Sequence, residues 1–174
     1  INSTVSDMEK KLPMDRLICG GVGFGKTEVA LRAIIKAVST NKTVFFLSPT
    51  TILADQHFIL AKERLGPIGV QIELFSRFKS KSDQKRILQE ISCGALDLVI
   101  GTHRLLSPDV FAPSLGLLII DEEHRFGVRH KEIIKNMRTN IDVLTLTATP
   151  IPRTLHQALV GIKDISNIFT PPLF

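Results

Sequence analysis

The sequence predicts an α/β fold in which a mostly parallel sheet carries helices on both faces. Short apolar runs alternate along the chain with longer segments of helical periodicity, as in a series of strand–helix units. The runs Thr43–Ser48 and Leu115–Ile120 are almost continuously apolar, which is typical of parallel strands that are buried on both faces. Glycine-rich or polar motifs directly follow several of these runs. Because ligands bind at the carboxyl ends of parallel strands, we expect these motifs to form one site.

Strands and helices follow one another in regular alternation. The first eleven residues have the pattern of a helix, with Val5 and Met8 on one face, and Pro13 ends it. Apolar runs between turn residues predict strands at Asp15–Cys19, Thr43–Ser48, Val70–Leu74, Leu96–Gly101, Leu115–Ile120, Val143–Thr147 and finally Ile165–Phe169. Helical periodicity predicts helices at Lys26–Ser39, Ile52–Leu65, Ser82–Ser92, Arg129–Met137 and Pro152–Val160.

The stretch from Gly20 to Thr27 reads G-x-x-x-x-G-K-T, the phosphate-binding P-loop, between a predicted strand and a predicted helix. Its glycines let backbone N–H groups approach a phosphate, and the start of the following helix adds partial positive charge. Lys26 can reach the β- and γ-phosphates, and the Thr27 hydroxyl can hold Mg²⁺. The chain is therefore predicted to bind a nucleoside triphosphate. The predicted cofactor contacts are Gly20, Gly21, Val22, Gly23, Phe24, Gly25, Lys26, Thr27 and Glu28.

Acidic residues end the most apolar of the predicted strands. Asp121 and Glu122 follow four apolar residues, as in the second half of a nucleoside triphosphatase site. We assign Asp121, together with Thr27, to the metal and Glu122 to the general base that polarises the attacking water. Lys26 and His124 complete the catalytic candidates. His124 either couples the site to the segment Thr147-Ala148-Thr149 by a hydrogen bond or caps a loop.

Together these motifs resemble the first motor domain of superfamily 2 helicases and translocases. They resemble still more closely the transcription-repair coupling factor family, double-stranded DNA translocases that act on stalled RNA polymerase. The resemblance covers nearly the whole chain and implies a RecA-like P-loop NTPase domain that uses ATP and Mg²⁺. The matching stretches are Gly23 to Ala30, Pro49 to Ala54 with Gln56-His57, Ser76-Arg77-Phe78, Gly101-Thr102-His103, Asp121 to Glu132 and Leu144 to Leu155.

The resemblance also implies a domain organisation. Residues 1–169 would form the first RecA-like, helicase ATP-binding domain, and residues 170–174 would begin a linker to a second motor domain. Since the chain opens on Ile1 rather than Met, we expect a fragment of a longer protein, other parts of which contact RNA polymerase and repair proteins. The alternative from another class is a nucleotide-gated binding module, a segment that binds nucleotide but turns it over negligibly.

The RecG branch-migration helicases are the nearest rival family. They share the stretches H-R-F-G-V and T-A-T-P-I-P-R-T-L, but typically have Ser at the position of Phe24 and Gln at that of Glu123. The Ser76-Arg77-Phe78 match is missing from them as well. The coupling factor family, for its part, usually carries an acid where this chain has Gly21, so the loop here has one more flexible residue.

The resemblance further implies contacts to the backbone of one DNA strand, without base specificity. Thr50, Thr51, Thr102 and His103 follow predicted strands and carry short donors suited to phosphate oxygens. Arg77 lies in a basic loop and can add an electrostatic contact. The alternatives are helix caps and turns for the first four residues and a solvated charged loop for Arg77.

Composition sets wider bounds. The net charge of +5 and the pI near 9.4 are compatible with a polyanion partner without requiring one. Cys19 and Cys93 lack metal-ligand spacing, and we expect Cys19 to be a buried free thiol. No apolar run is long enough to span a bilayer and no signal peptide opens the chain, so we expect a cytoplasmic protein with no membrane partner.

Overall fold

The computed structural model describes residues 1–20, 25–148 and 164–168. The described helices are α1 (Asn2–Met8), α2 (Lys26–Ser39), α3 (Thr51–Leu65), α4 (Lys81–Ser92) and α5 (Val128–Met137). The described strands are β1 (Asp15–Gly20), β2 (Thr43–Leu47), β3 (Ile72–Phe75), β4 (Leu98–Gly101), β5 (Leu115–Asp121), β6 (Asp142–Thr147) and β7 (Asp164–Ile168). Short 3-10 turns lie at Gly66–Ile68, His103–Leu106 and Glu123–Arg125.

The described strands form one sheet in the order β3-β4-β2-β5-β6-β1-β7. Every neighbouring pair is parallel. All strands therefore point the same way, and their carboxyl ends lie along one edge of the sheet. The motifs that follow these strands share that edge.

Helices cover both faces of the sheet, because alternate residues of each strand point to opposite sides. In β2, where every residue is buried, Val44 and Phe46 pack with α2 and α3. Phe45 and Leu47 pack with α4 and α5 on the other face. The predicted α/β class, with a parallel sheet between two helical layers, is confirmed.

Two strands start two residues later than predicted, while β6 and β7 start one residue earlier. β3 begins at Ile72 rather than Val70, and β4 begins at Leu98 rather than Leu96. Before these strands pair, the Asp97 carboxylate accepts the Gln71 N–H (2.8 Å), and the N–H groups of Asp97 and Leu98 both donate to the Gln71 carbonyl. These irregular hydrogen bonds stand where the sequence predicted two further residues of regular strand pairing.

The fully buried residues of α1 are polar. Thr4 and Asp7 are its buried residues, whereas Val5 and Met8 are only half-buried. Asp7 accepts hydrogen bonds of 2.6 Å from Arg16 in β1 and from Lys10. Burial raises the pKa of Asp7, but these two hydrogen bonds outweigh it and leave the pKa below its ordinary value. A buried ion pair therefore anchors this short helix.

Further expectations concern the C-terminal segment, Cys19 and membrane-spanning helices. The predicted helix Pro152–Val160, Phe169 and the predicted linker at 170–174 lie outside the described residues. Cys19 is a buried free thiol, as expected, and burial raises its pKa. Across the described ranges, no helix has both the length and the apolar character needed to cross a membrane.

Candidate nucleotide-binding site

The P-loop leaves the end of β1 and enters the start of α2. The Lys26 ammonium, at the first position of α2, donates a hydrogen bond of 2.6 Å to the carbonyl of Gly20, the last residue of β1. Gly25 has a φ of 82°, a left-handed conformation that strains any residue with a side chain. Lys26 is thus held beside the end of β1. Gly21, Val22, Gly23 and Phe24 lie outside the described residues.

Glu28 is predicted among the cofactor contacts, but in the structure its carboxylate binds two arginines. Its carboxylate accepts a hydrogen bond from Arg64 of α3 (2.8 Å) and one from Arg32 of α2 (3.1 Å). These two arginines hold the pKa of Glu28 below its ordinary value. Its backbone N–H donates to the carbonyl of Gly25 (3.1 Å). Glu28 therefore ties α2 to α3, and both of its carboxylate oxygens accept hydrogen bonds from arginines there.

Asp121 ends β5, where its side chain is 13% exposed. Its Oδ2 lies 2.9 Å from Nε2 of His57 in α3. His57 and Thr27 line the same small cavity of about 10 Å³ between α2, α3 and the sheet. A hydroxyl and a carboxylate are hard oxygen donors of the kind that Mg²⁺ takes, so Thr27 and Asp121 fit this ion.

The backbone of Glu122 is strained, and its side chain is held by hydrogen bonds. Its φ of 51° and ψ of 57° are left-handed values that are uncommon outside glycine. Its carboxylate accepts hydrogen bonds from the Ala148 N–H (2.8 Å) and the Thr147 hydroxyl (3.2 Å), both at the end of β6. Nδ1 of His124 lies 3.3 Å from the same carboxylate. His124 thus reaches the Thr147–Ala148 segment through Glu122, while Thr149 lies outside the described residues.

The side chain of Glu123, unlike that of Glu122, is paired with an arginine. Arg138 donates two hydrogen bonds to its carboxylate, at 2.6 Å and 3.0 Å, and a third of 3.3 Å to Asp15. The Arg138 and Glu123 side chains are only 14% and 18% exposed. Burial lowers the pKa of Arg138, but the two acids outweigh it and raise the pKa. A carboxylate held by a bidentate arginine is a poor general base, and Glu122 remains the candidate.

The strand order divides the carboxyl edge into two halves. The ends of β5, β6 and β1 are neighbours and carry the triphosphatase candidates; we call them the P-loop half. The ends of β3, β4 and β2 are also neighbours and carry the nucleic-acid candidates; we call them the outer half. The two halves meet where β2 pairs with β5.

The nucleic-acid candidates of the outer half differ in accessibility. Thr50 is the N-cap of α3, and its hydroxyl accepts the Leu53 N–H at 3.2 Å, so the capping alternative is realised for this residue. Thr102 is buried (4% exposed), which disfavours its side chain as a phosphate contact. Thr51 is half-buried, and His103 is exposed. Arg77 is exposed and stacks on the ring of Phe78 at 4.9 Å.

The structure adds two histidines that the sequence reasoning missed. His57 belongs to a matching motif, but its contact with Asp121 spans 64 residues and no local pattern indicates it. His130 of α5 stacks on His103, with ring centroids 4.9 Å apart. Burial, His103 and Arg129 lower the pKa of His130. The signal for His130 in the sequence was its place in the matching stretch from Asp121 to Glu132.

One half of the sheet edge carries a P-loop beside a pair of acids at a strand end, and the other half carries polar donors. This is the arrangement of a helicase or translocase motor domain. The chain belongs to the DEAD/DEAH box helicase family, whose sequence profile matches residues 4–158. The predicted membership in the helicases and translocases is thereby confirmed.

Among curated proteins, the chain is similar to the transcription-repair-coupling factors of Staphylococcus haemolyticus and Escherichia coli. Each is 58% identical over 172 residues, which is 99% of this chain. The factor of Staphylococcus aureus is 56% identical over the same length. The resemblance expected from the motifs is confirmed. The chain spans about 15% of the length of these relatives.

Among solved structures, the chain is similar to RecG bound to a three-way DNA junction. The TM-score is 0.86 at 36% identity, over 98% of this chain and 23% of that one. The Hef helicase domain of Pyrococcus furiosus, at a TM-score of 0.68 and 17% identity over 98% of this chain and 38% of that one, shares the fold. The RecA-like fold class is confirmed by these matches.

Proposed function

We propose that this chain is the ATP-binding motor domain of a double-stranded DNA translocase of the transcription-repair coupling type. The observation that carries the proposal is the P-loop half of the sheet edge. There the loop lysine follows β1, and Asp121 and Glu122 stand at the end of β5. The Glu122 carboxylate is hydrogen-bonded to the end of β6, the strand between β1 and β5. Identity of 58% to coupling factors, against 36% to RecG, favours the coupling type over the branch-migration type.

On this proposal each group of the P-loop half has a separate task. The loop backbone and Lys26 bind the phosphates, and Thr27 and Asp121 hold Mg²⁺, which would neutralise charge on the phosphates when bound. Glu122 orients and deprotonates the attacking water. Its hydrogen bonds to Thr147 and Ala148 fix the carboxylate while leaving lone pairs on both oxygens, since a carboxylate accepts about four hydrogen bonds.

The outer half is proposed to contact the DNA backbone. Thr50, Thr51, His103 and Arg77 are the candidates that remain after Thr102 is set aside for its burial. The resemblance implies contacts to phosphate oxygens rather than to base edges, so binding is expected to be indifferent to sequence and sensitive to salt. In the longer protein, this motor would act on stalled RNA polymerase, through segments other than this chain.

Nucleotide binding tests the proposal most directly. We expect Lys26→Ala to abolish ATP binding in calorimetric titration while the melting curve stays near that of the wild type. Among the contacts that the structure describes, the ammonium loses its hydrogen bond to Gly20, and Lys26 does not belong to the buried core. Lys36→Ala is the matched control, because Lys36 lies on the same helix and pairs with Glu9 on the surface (2.7 Å). Unchanged ATP affinity in Lys26→Ala would refute the assignment of the loop.

A further inference from the structure

We propose that His57 is a positioning residue for the magnesium site: it holds the carboxylate of Asp121 in the orientation that the ion needs. This inference rests on the proposed function, which makes Asp121 a metal ligand. It adds a residue from another element, α3, to the groups on which metal binding depends.

The geometry of the contact is that of a directed hydrogen bond. Nε2 of His57 and Oδ2 of Asp121 are 2.9 Å apart, and the two side chains are 19% and 13% exposed. A carboxylate oxygen accepts hydrogen bonds, so Nε2 carries the proton in this contact. In the part of the chain that the structure describes, His57 is the hydrogen-bond partner of the Asp121 side chain. Oδ1 is thereby left for the cation or for a water bound to it.

The imidazole is itself held in place. Its ring packs on Phe46 of β2, with centroids 4.5 Å apart and planes tilted by 38°. Phe46 is buried in the sheet core (4% exposed). The ring also forms a wall of the small cavity that Thr27 lines. A donor fixed in this way restricts the rotation of the Asp121 carboxylate, which reduces the entropy lost when the ion binds.

Groups that hold a metal ligand by a hydrogen bond affect metal affinity strongly. Their removal commonly costs about 10–100-fold in metal affinity or activity. For His57 we expect the lower end, about tenfold, because phosphate oxygens of the nucleotide share the coordination of Mg²⁺.

The test is a titration of Mn²⁺, a spectroscopic substitute for Mg²⁺, into this chain saturated with ADP, followed by electron paramagnetic resonance. We expect His57→Leu to weaken Mn²⁺ binding about tenfold. His57→Gln, whose amide nitrogen restores a donor at a similar distance, is expected to stay close to wild type. Gln56→Leu, the same loss of polarity at the preceding exposed position of α3, is the matched control and is expected to bind as wild type.

Two further measurements separate metal binding from folding and from the proposed function. Binding of ADP without metal, and the melting temperature, are expected to be unchanged in His57→Gln and in Gln56→Leu. Metal-free ADP binding is also expected to survive His57→Leu. Asp121→Asn tests the proposed function itself, and it is expected to weaken Mn²⁺ binding more than any change at His57.

The outcomes are distinguishable. If Asp121→Asn binds Mn²⁺ like wild type, the metal assignment of the proposed function fails. If Asp121→Asn is defective but His57→Leu is not, the proposed function stands and the role of His57 is overturned. Equal losses in His57→Leu and His57→Gln, or a loss of metal-free ADP binding in His57→Leu, would also overturn it, because the donated hydrogen bond would then not be the cause.

Discussion

Exchanging each acid of the adjacent pair Glu122 and Glu123 for its amide is expected to separate catalysis from stability. Glu122→Gln keeps the shape of the side chain and an oxygen for the Ala148 N–H, but an amide is a far poorer base. In a protein that contains both motor domains, we expect Mg-ATP binding to persist and hydrolysis to fall by about 10²–10⁴-fold. The free energy of unfolding is expected to change by less than about 1 kcal/mol.

Glu123→Gln is expected to do the reverse. Breaking a buried ion pair costs about 3–5 kcal/mol when it leaves the other charge unpaired. Here Asp15 still lies 3.3 Å from Arg138, and the amide keeps one acceptor, so we expect about 2–3 kcal/mol. At 2–4 °C per kcal/mol for a domain of this size, the melting temperature would fall by about 4–12 °C.

The assay is thermal denaturation of this chain beside steady-state ATPase of the longer protein, measured well below the melting temperature of each variant. Arg138→Met combined with Glu123→Gln is the internal check, since removing both charges is expected to recover part of the lost stability. Normal hydrolysis in Glu122→Gln together with its loss in a stable Glu123→Gln would refute the reasoning and move the base to Glu123.

Three further predictions follow from the outer half and from the length of the chain. Burial, His103 and Arg129 lower the pKa of His130 in the folded chain. As the pH falls below about 6.5, the unfolded chain therefore binds a proton at His130 before the folded chain does, and the free energy of unfolding falls. His130→Gln is expected to flatten this decline in denaturation curves between about pH 5.5 and 7.5; parallel profiles would contradict it. Duplex DNA binding is expected to be weak and independent of sequence, and Arg77→Ala is expected to reduce the slope of log K against log salt by about one; an unchanged slope would exclude Arg77. ATP turnover by this chain is expected to be about 10³–10⁵-fold slower than that of a two-motor protein and unaffected by DNA, if arginines outside it stabilise the transition state; comparable rates stimulated by DNA would show a complete site within the 174 residues.

Much of this fold could be predicted from the sequence because its signals are local. A continuous apolar run such as that of β2 satisfies a strand buried on both faces, whatever its neighbours are. The P-loop likewise requires only a strand, a turn and a helix in succession. Asp121 and Glu122 could be placed at the same sheet edge as the P-loop once the sheet was predicted to be parallel, because each motif lies at the end of a strand.

The contacts that organise the site could not be predicted in this way. His57 and Asp121 meet only because β2 lies beside β5 and His57 of α3 packs on Phe46 of β2, and strand order is not encoded in any short pattern. The packing role of Gly101 could not be predicted either, because the sequence showed this glycine only as the neighbour of the DNA-contact candidates Thr102 and His103. An added Cβ there would lie 2.2 Å from the carbonyl oxygen of Phe75, so packing of β4 against β3 requires a glycine at this position.

The strand order also explains how the two halves of the sheet edge can affect each other. α3 begins at the outer half, where Thr50 and Thr51 are candidates for DNA contact, and six residues later, about 9 Å along the axis, it presents His57 to Asp121 in the P-loop half. A helix moves as a unit, and a hydrogen bond weakens steeply once its length and angle depart from the preferred values. A displacement of α3 by bound DNA would therefore reach the proposed magnesium ligand through the contact between His57 and Asp121. The junction of β2 and β5, rather than any one motif, is where DNA binding and nucleotide chemistry can be coupled.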